Sequence, residues 1–243
     1  MNVMEMIRKK CAAVICVYNN AATIRNVVEK VLYENCALTV VVDDGSRDCC
    51  MKELLSGLPV ILLSHEKNMG KGKALQTALE FLASLPEGKK VDYMITLDAD
   101  DQHDPSDIAS FLPVLAEGKD FLVCGSRSFR ENVPFRSKLG RFLSNFFIRL
   151  ETGIKICDTQ SGFRAYPVMS ASEITCRSTK YDWETEILVK LLRAGAVFRE
   201  VPIQVHYLPS GERISHFHVW KDNFRIVCLH WHLLLELFFT GKK

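Results

Sequence analysis

The sequence predicts an α/β fold with a mostly parallel central sheet flanked by helices. Over the first half of the chain, short apolar runs of strand type alternate with segments of helical periodicity, and this alternation is typical of consecutive βαβ units. The chain has 243 residues and is 48% hydrophobic, which is enough for one large α/β domain with a sizeable core. Two of the apolar runs end on acidic residues, which are poor strand formers and mark where the strands stop.

The first half of the chain supplies four of the predicted strands. They are short apolar runs at residues 11–17, 38–42, 60–63 and 93–97. Apolar residues at helical spacing predict the intervening helices, at residues 24–32, around 47–55, and from 68–73 through Leu82. A further helix is predicted to begin at Pro105, because proline is favoured in the first helical turn.

The second half predicts two more strands and three helices. Residues 121–124 form an apolar run, and residues 200–207 alternate like a strand whose Pro202 suggests a sheet edge. Helices are predicted at residues 139–150, 181–192 and 217–239. The acids Asp182, Glu184 and Glu186 lie near the start of the second of these helices, where the helix dipole favours them.

Asp98 and Asp100 follow the strand at 93–97 and are the main candidate ligands. Side chains at i and i+2 of an extended segment point the same way, and two carboxylates held together need a cation or donors between them. Mg²⁺ or Mn²⁺ is the natural occupant, since Mg²⁺ usually takes one or two protein carboxylates together with substrate phosphates. The acids alone are equally compatible with an acidic surface turn. Neither the glycine and glutamate of an EF-hand loop nor the Ser or Thr of a P-loop is present.

Polar residues also follow the first two strands. Asn19 follows the first, and Asp43 and Asp44 follow the second. Ligands of parallel sheets bind at the carboxyl ends of the strands, so these positions favour a nucleotide site. The segment at 70–73, with two glycines and with Lys71 and Lys73 as counter-charges, is compatible either with a phosphate-binding helix entry or with an ordinary loop.

Arginines are concentrated in one apolar region of the second half. They are Arg127, Arg130, Arg136 and Arg141. This composition suits an anionic ligand with an apolar tail, and a solvated basic surface is the alternative. Asp158 lies in a polar loop, where aspartate is more often a turn former than a catalyst, and Arg213 lies in the loop at 211–216.

Composition limits the partners and the compartment. A net charge of +2 is not the strong basic excess that nucleic-acid binding needs. The nine cysteines show no zinc spacing, and most of them are expected to be core thiols in a reducing cytoplasm. The N-terminus lacks a signal-peptide pattern, and no apolar run reaches the ~18 residues of a spanning helix. We therefore expect a soluble or peripheral protein. Its amphipathic helix at 217–239 lies either on a membrane interface or against the domain or a partner subunit of a homo-oligomer.

Six segments in this order resemble family-2 glycosyltransferases, and within them the polyprenol-phosphate, dolichol-phosphate mannosyltransferase-like branch. They are residues 17–19 (VYN), 42–46 (VDDGS), 68–72 (NMGKG), 97–100 (LDAD), 125–127 (GSR) and 158–164 (DTQSGFR). The resemblance runs from about residue 11 to residue 218. The chain departs from the family in lacking the usual proline of the first strand, in ending that strand on Asn19 and Asn20, and in having no transmembrane helices after the domain.

The resemblance implies a GT-A type nucleotide-sugar-binding fold, transfer with inversion and a role for each matching residue. The implied metal ligands are Asp98, Asp100 and Gln102. The implied donor-binding residues are Val17, Tyr18, Asn19, Asp43, Asp44, Lys73, Asp98 and Ala99. The implied acceptor-binding residues are Arg127, Arg136 and Arg213, and Asp158 and Asp100 are the implied catalytic residues.

We therefore expect a metal-dependent hexosyltransferase that uses a nucleotide-sugar donor and polyprenyl phosphate at the cytoplasmic membrane face. Residues 1–243 would form one domain, with a donor half at 11–125, an acceptor half at 126–216 and the C-terminal helix. One alternative keeps the donor but uses a saccharide hydroxyl, for which Asp158 would be the base. The other is a non-catalytic nucleotide-sugar-binding protein.

Overall fold

The computed structural model describes residues 2–118, 120–127, 135–206 and 219–240, with the side chains of 135–142, 219, 220 and 240 excepted. Within this part of the chain there are seven strands. They are β1 (Cys11–Val17), β2 (Leu38–Asp43), β3 (Ile61–Ser64), β4 (Tyr93–Asp98), β5 (Phe121–Arg127), β6 (Arg164–Pro167) and β7 (Val197–Ile203).

The strands form one sheet in the order β3-β2-β1-β4-β6-β5-β7. Neighbouring strands are parallel except at β6, which pairs antiparallel with both β4 and β5. The predicted α/β class with a mostly parallel sheet is therefore confirmed. Pro202 lies in β7 at the edge of the sheet. Proline has no backbone N–H to donate, and an edge strand tolerates this because it pairs on one side alone.

Helices cover both faces of the sheet. They are α1 (Val3–Arg8), α2 (Ala21–Tyr33), α3 (Met51–Leu54), α4 (Lys71–Ala83), α5 (Ile108–Leu115), α6 (Phe135–Thr152), α7 (Val168–Ser172), α8 (Trp183–Arg193) and α9 (Val219–Thr240). The buried residues of α2 and α5 form the core on one face, and those of α4, α8 and α9 contribute to the core on the other. Each face therefore has its own hydrophobic core.

Several elements of the secondary structure differ from the sequence-based expectation. Strand β6 and the short helices α1 and α7 were not predicted, and β7 begins at Val197 rather than at residue 200. The predicted helix around 47–55 is reduced to α3, because Asp48 is used elsewhere: its Oδ2 accepts a hydrogen bond of 2.9 Å from the backbone N–H of Ala21 at the start of α2. Because the Asp48 side chain caps the start of α2, the backbone at residue 48 stays outside α3.

The C-terminal helix α9 is amphipathic, as predicted. Leu229 and Leu233 are buried against the core, whereas Trp231 and Phe238 on the opposite face are 59% and 83% exposed. In the described part of the chain, no helix combines the length and the apolar character that crossing a membrane requires.

Gly72, in the first turn of α4, allows α4 and the start of α8 to pack closely. A Cβ at this position would lie 2.4 Å from the Cβ of Trp183 and 2.6 Å from the carbonyl oxygen of Lys180. We expect Gly72→Ala to lower the free energy of unfolding by about 1–3 kcal/mol, because overpacking a core moves backbone. Urea unfolding would measure this. Gly88→Ala is the matched control, since no atom lies within 4 Å of its added Cβ, and an equal effect of the two variants would contradict the argument.

Candidate active site

The candidate residues meet at the carboxyl edge of the central strands. In the parallel pairing, Val17 of β1 lies opposite Asp43 of β2, and Cys16 of β1 lies opposite Asp98 of β4. The ends of β2 and β4 therefore flank the end of β1, with Asp43 and Asp98 about 10 Å apart along the sheet. The ends of β1, β2 and β4 therefore lie together in the structure, as expected from the sequence.

The turn after β4 divides its acids between two tasks. Asp101 adopts a left-handed backbone conformation (φ 58°), and its carboxylate accepts hydrogen bonds of 2.8 Å from Asn26 Nδ2 and from Lys30 Nζ, both on α2. The carbonyl oxygen of Ala99 accepts a bond of 2.6 Å from Thr23 Oγ1. Residues 99 and 101 thus anchor the turn to α2, and they leave Asp98 and Asp100 as its candidate ligands.

Asp98 is held by Lys71, which the sequence suggested only as a counter-charge to phosphate. Lys71 Nζ, at the start of α4, lies 2.6 Å from Asp98 Oδ1 and 3.1 Å from Glu184 Oε2, at the start of α8. Burial opposes ionisation of Asp98, but the Lys71 ammonium group outweighs it and lowers the pKa of Asp98 to about 2. Burial likewise opposes the charge of Lys71, and Asp98 and Glu184 hold its pKa well above 10.5. Both groups are therefore charged at neutral pH.

Gly162 lies directly against this ion pair. A Cβ at position 162 would lie 2.8 Å from Asp98 Oδ2 and 2.9 Å from Lys71 Nζ. Only a residue without a side chain fits beside the pair in its present geometry. This gives a physical reason for the glycine in the segment at 158–164.

His103 lies on the other side of Asp98. Its Nδ1 is 3.9 Å from Asp98 Oδ2, and its ring packs against that of Phe163. Burial lowers the pKa of His103 from its ordinary value of 6.5, so the imidazole is neutral at pH 7. It therefore adds no positive charge beside Asp98 at that pH.

The residues after β1 and β2 form the framework of the site. Asn19 accepts a hydrogen bond of 2.8 Å at its Oδ1 from the backbone N–H of Arg47, and its own N–H donates to Ser46 Oγ. Asp43 Oδ1 accepts a bond of 2.9 Å from the N–H of Ser46. The carbonyl oxygen of Val17 accepts the N–H of Asp44, and Tyr18 follows half-buried. These contacts fix the shape of the first two strand ends.

The Asp44 carboxylate is engaged within the protein, and the donor contact expected of Asp44 stays a prediction. Its Oδ1 is 2.7 Å from His65 Nδ1 and accepts the N–H of Met69 at 2.9 Å, while its Oδ2 accepts the N–H of Gly70 at 2.8 Å. The residue is only 3% exposed. Both carboxylate oxygens hold the loop that leads into α4, so Asp44 positions Lys71 from behind the site.

The Lys73 side chain also has a partner within the protein, and its expected donor contact stays a prediction. Its Nζ pairs with Glu80 Oε1 at 3.5 Å along α4, whereas Lys71, two residues earlier, reaches Asp98. Residues two apart on a helix point in different directions, so only one of the two lysines can face the strand ends.

Asp158 and Arg127 form a bidentate ion pair. Arg127 Nε donates to Asp158 Oδ2 at 2.6 Å, and Arg127 Nη2 donates to Asp158 Oδ1 at 2.9 Å. The Asp158 side chain is fully buried, while that of Arg127 is 22% exposed. The expected base and one of the expected acceptor arginines are thus partners, and Arg127 presents only part of its surface to a ligand.

The remaining acceptor candidates fall outside what the structure describes. Arg136 lies in α6, but its side chain is not among the described ones, and Arg213 lies in residues 207–218. Their predicted roles stay predictions.

A buried arginine organises the loop that carries Asp158 and Gly162. Arg164 is 1% exposed, and its guanidinium donates to the carbonyl oxygens of Thr159, Ser161 and Glu184 at 2.7, 2.7 and 2.5 Å. Burial opposes its charge, but nearby groups hold its pKa above the ordinary range. Arg164 therefore joins the loop to the start of α8, where Glu184 contacts Lys71.

The described residues fit a hard divalent cation that is shared with a ligand. No cluster of three His, Cys, Asp or Glu suited to a metal occurs in the described ranges. Asp98 and Asp100 supply carboxylates, and the neighbouring Gln102 is 6% exposed with its buried amide Nε2 lacking a hydrogen-bond partner among the described residues. Two carboxylates and the side-chain oxygen of Gln102 suit Mg²⁺ or Mn²⁺ when substrate phosphates complete the coordination, whereas the Nε2 of Gln102 is a donor and not a ligand.

Sequence reasoning named Lys71 only as a possible counter-charge to phosphate, and it gave Glu184 no part in the site. Glu184 was attributed to the helix dipole at the start of α8, and Lys73 was preferred to Lys71. The available signal for Lys71 was the glycine before it. Gly70 has a positive φ of 102° and precedes α4, so Lys71 is the first residue of that helix. Nothing in the local sequence pairs residue 184 with residues 71 and 98, because the contact depends on how three elements pack.

Comparison with known proteins identifies the family. The chain is 33% identical over 210 residues to the uncharacterized protein MJ1222 of Methanocaldococcus jannaschii, with 84% of each chain covered. It is 31% identical over 217 residues to UDP-N-acetylglucosamine–dolichyl-phosphate N-acetylglucosaminyltransferase of Methanococcus voltae, with 80% of this chain and 84% of that protein covered.

A solved structure has the same fold. It is glucosyl-3-phosphoglycerate synthase from Mycobacterium tuberculosis in complex with Mn²⁺, UDP-glucose and phosphoglyceric acid, with a TM-score of 0.71, 18% identity, and 96% of this chain and 84% of that chain covered. The predicted nucleotide-sugar-transferase type of α/β fold is thereby confirmed. Residues 12–175, more than half of the chain, match the model of Glycosyl transferase family 2, and the chain belongs to that family.

Proposed function

We propose that this protein is an inverting, metal-dependent hexosyltransferase that moves a sugar from a nucleoside-diphosphate donor to polyprenyl phosphate. The observation that carries the proposal is the bidentate pairing of the buried Asp158 with Arg127, beside strand ends that carry Asp43 and Asp98. The name of the Methanococcus voltae relative, which gives a nucleotide-sugar donor and a dolichyl-phosphate acceptor, supports it.

The donor would bind across the ends of β2, β1 and β4. Asp43 and the 18–19 turn would lie near the nucleoside, and the diphosphate would lie near Asp98 and Asp100. A phosphate placed beside carboxylates needs positive charge, which Lys71 supplies in part. A cation held by Asp98, Asp100 and Gln102 would supply the rest by neutralising the leaving nucleoside diphosphate.

The acceptor follows from the state of Asp158. Both of its carboxylate oxygens accept hydrogen bonds from Arg127 and the side chain is fully buried, so an acceptor hydroxyl could reach Asp158 only if its surroundings moved. A hydroxyl acceptor needs such a base, whereas a lipid phosphate is ionised near neutral pH and needs none. Placement beside a negatively charged donor is then the main requirement, and it is met by electrostatics. Arg127, with Arg136 and Arg213, would provide that charge.

The outer face of α9 is suited to a membrane surface, where a polyprenyl lipid resides. Its exposed residues include Phe224, Trp231, Leu235 and Phe238. Aromatic and aliphatic side chains along one side of a helix bind the interface between headgroups and acyl chains. We propose that the protein works as a peripheral protein on the cytoplasmic face of the membrane.

Metal-dependent donor binding is the first test. Thermal unfolding would be followed with UDP, GDP and their common hexose derivatives, with Mn²⁺ or with EDTA. One of the nucleotides should raise stability by about 2.7 kcal/mol at 100 times its Kd, and only with the metal. Asp100→Ala should abolish the metal-dependent part. Asp92→Ala is the matched control, because Asp92 lies at the other end of β4 and its carboxylate pairs with Lys10 at 3.4 Å, and an equal loss in both variants would contradict the assignment.

Acceptor use is the second test. Purified protein would be given the labelled donor with polyprenyl phosphate in detergent, or with a panel of soluble saccharides. We expect label in the lipid fraction alone. Label only in the saccharides would favour a hydroxyl acceptor and a separation of Asp158 from Arg127. Metal-dependent nucleotide binding without any turnover would favour a non-catalytic binding protein.

A further inference from the structure

The carboxylate of Glu184 has one oxygen held and one oxygen unsatisfied. Its Oε2 lies 3.1 Å from Lys71 Nζ. Its Oε1 is buried and has no hydrogen-bond partner among the described residues, and the side chain as a whole is 10% exposed. A buried carboxylate oxygen without a donor costs free energy, so its presence beside the strand-end acids suggests that a ligand supplies the missing bond.

Glu184 is fixed on both its backbone and its side chain. The backbone carbonyl accepts a bond of 2.5 Å from the buried Arg164, and the side chain is held by Lys71, which also contacts Asp98 at 2.6 Å. Glu184 is the second residue of α8, and the first residue, Trp183, is 1% exposed. Its free oxygen therefore has a defined position relative to Asp98, as a ligand-orienting group requires.

The chemistry of Oε1 narrows the class of group it can bind. An ionised carboxylate only accepts hydrogen bonds, so phosphate or carboxylate groups would be repelled. The nearby charge is already balanced in part by Lys71, which bridges Glu184 and Asp98. A neutral O–H donor satisfies the oxygen without adding charge. In a ligand whose diphosphate lies near Asp98, the neutral groups next to the diphosphate are the hydroxyls of the ribose and of the sugar. The ribose would lie toward Asp43 on β2, whereas Glu184 is joined through Arg164 to β6 on the other side of β4, where the sugar would lie.

We propose that Glu184 Oε1 accepts a hydrogen bond from a hydroxyl group of the donor sugar, and that Lys71 links this contact to Asp98. Glu184 is then a specificity-determining residue for the sugar. The proposal rests on the proposed function, since it requires a nucleotide-sugar donor. It predicts that Glu184 acts on the sugar and leaves recognition of the nucleoside diphosphate unchanged.

The test compares a nucleotide with its sugar derivative. Calorimetry with Mn²⁺ would give the Kd of UDP and UDP-N-acetylglucosamine, and of GDP and GDP-mannose, for the wild type and for Glu184→Gln. The glutamine keeps an oxygen for Lys71 but places an NH₂ group at the free position. We expect the Kd of the bound nucleotide sugar to rise about tenfold or more, as hydrogen bonds to charged groups allow, and the Kd of the bare nucleotide to change less than about twofold.

Glu186→Gln is the matched control on the same helix. Glu186 is buried too, but it accepts the N–H groups of Arg177 and Ser178 and pairs with Lys190, away from Asp98. This variant should lower stability without changing the ratio of the two affinities. Equal weakening of nucleotide and nucleotide sugar by Glu184→Gln would overturn the proposal, and so would no change in either.

Three remaining cases are also decisive. If Glu184→Gln does not fold, monodeoxy analogues of the bound sugar nucleotide take its place: one of them should bind the wild type about tenfold more weakly than the parent, and a series without such a member overturns the proposal. If the wild type binds neither nucleotides nor their sugars, the proposed function fails together with this inference. Normal wild-type binding with an insensitive Glu184→Gln overturns the inference alone.

Discussion

Gly162→Ala is expected to give a folded protein that has lost sugar transfer by about 100-fold or more. The added Cβ would lie 2.8 Å from Asp98 Oδ2, 3.1 Å from Asp98 Oδ1 and 2.9 Å from Lys71 Nζ. These atoms are the ends of side chains, so they can move aside, and the free energy of unfolding should change by about 1 kcal/mol or less. The displaced carboxylate is the one proposed to share a cation with the donor, and a misplacement of about 1 Å at a reacting centre costs on the order of 100-fold.

The measurement is the transfer rate together with the affinity for Mn²⁺ and the midpoint of urea unfolding. Gly88→Ala is again the control, because it adds the same methyl group in open space. Transfer at the wild-type rate in Gly162→Ala would mean that the Asp98 carboxylate tolerates displacement and that the metal assignment is wrong. A large fall in stability with proportionate loss of activity would mean that Gly162 matters only for folding.

Local sequence was sufficient to predict which strand ends meet at the candidate site. Strands β1, β2 and β4 are short apolar runs whose ends carry polar residues, and parallel pairing of neighbouring strands brings those ends to one edge without any detail of packing. Asp98 and Asp43 therefore lie where the sequence predicted. The same reasoning could not assign tasks to Asp44 or Asp101, because the two acids bind a loop amide and a helix, respectively, and those partners are distant in sequence.

The second half of the fold was less predictable for a physical reason. Strand β6 has only four residues, begins with a charged residue and ends with a proline, and no periodicity can be recognised over so short a length. Its antiparallel insertion between β4 and β5 depends on tertiary packing. That insertion brings Arg164 under the loop at 158–163 and the start of α8, so the contacts of Glu184 and Asp158 could not be anticipated either.

Arg164→Met is expected to have the largest effect on stability. The substitution would leave the carbonyl oxygens of Thr159 and Ser161 without this donor. It would also remove the charged donor of the Glu184 carbonyl, which keeps its helical N–H partner within α8. A buried polar group left unpaired costs about 1–3 kcal/mol, so the total loss should be at least about 3 kcal/mol. Domains are stable by only about 5–15 kcal/mol, and a chain of this size should then melt roughly 6–12 °C lower.

A matched substitution separates this effect from the general loss of an arginine. Arg199, on the edge strand β7, is exposed, and its Nη1 donates to the carbonyl oxygen of its neighbour Phe198 while its guanidinium lies 5.4 Å from the ring centroid of Phe121. Arg199→Met should therefore cost no more than about 1 kcal/mol. Arg164→Lys should resemble Arg164→Met, because one ammonium group cannot replace a planar fork that reaches three carbonyls. If thermal melting found Arg164→Met as stable as Arg199→Met, then Arg164 would not be what joins the Asp158 loop to α8, and the defined position argued for Glu184 would lose its support.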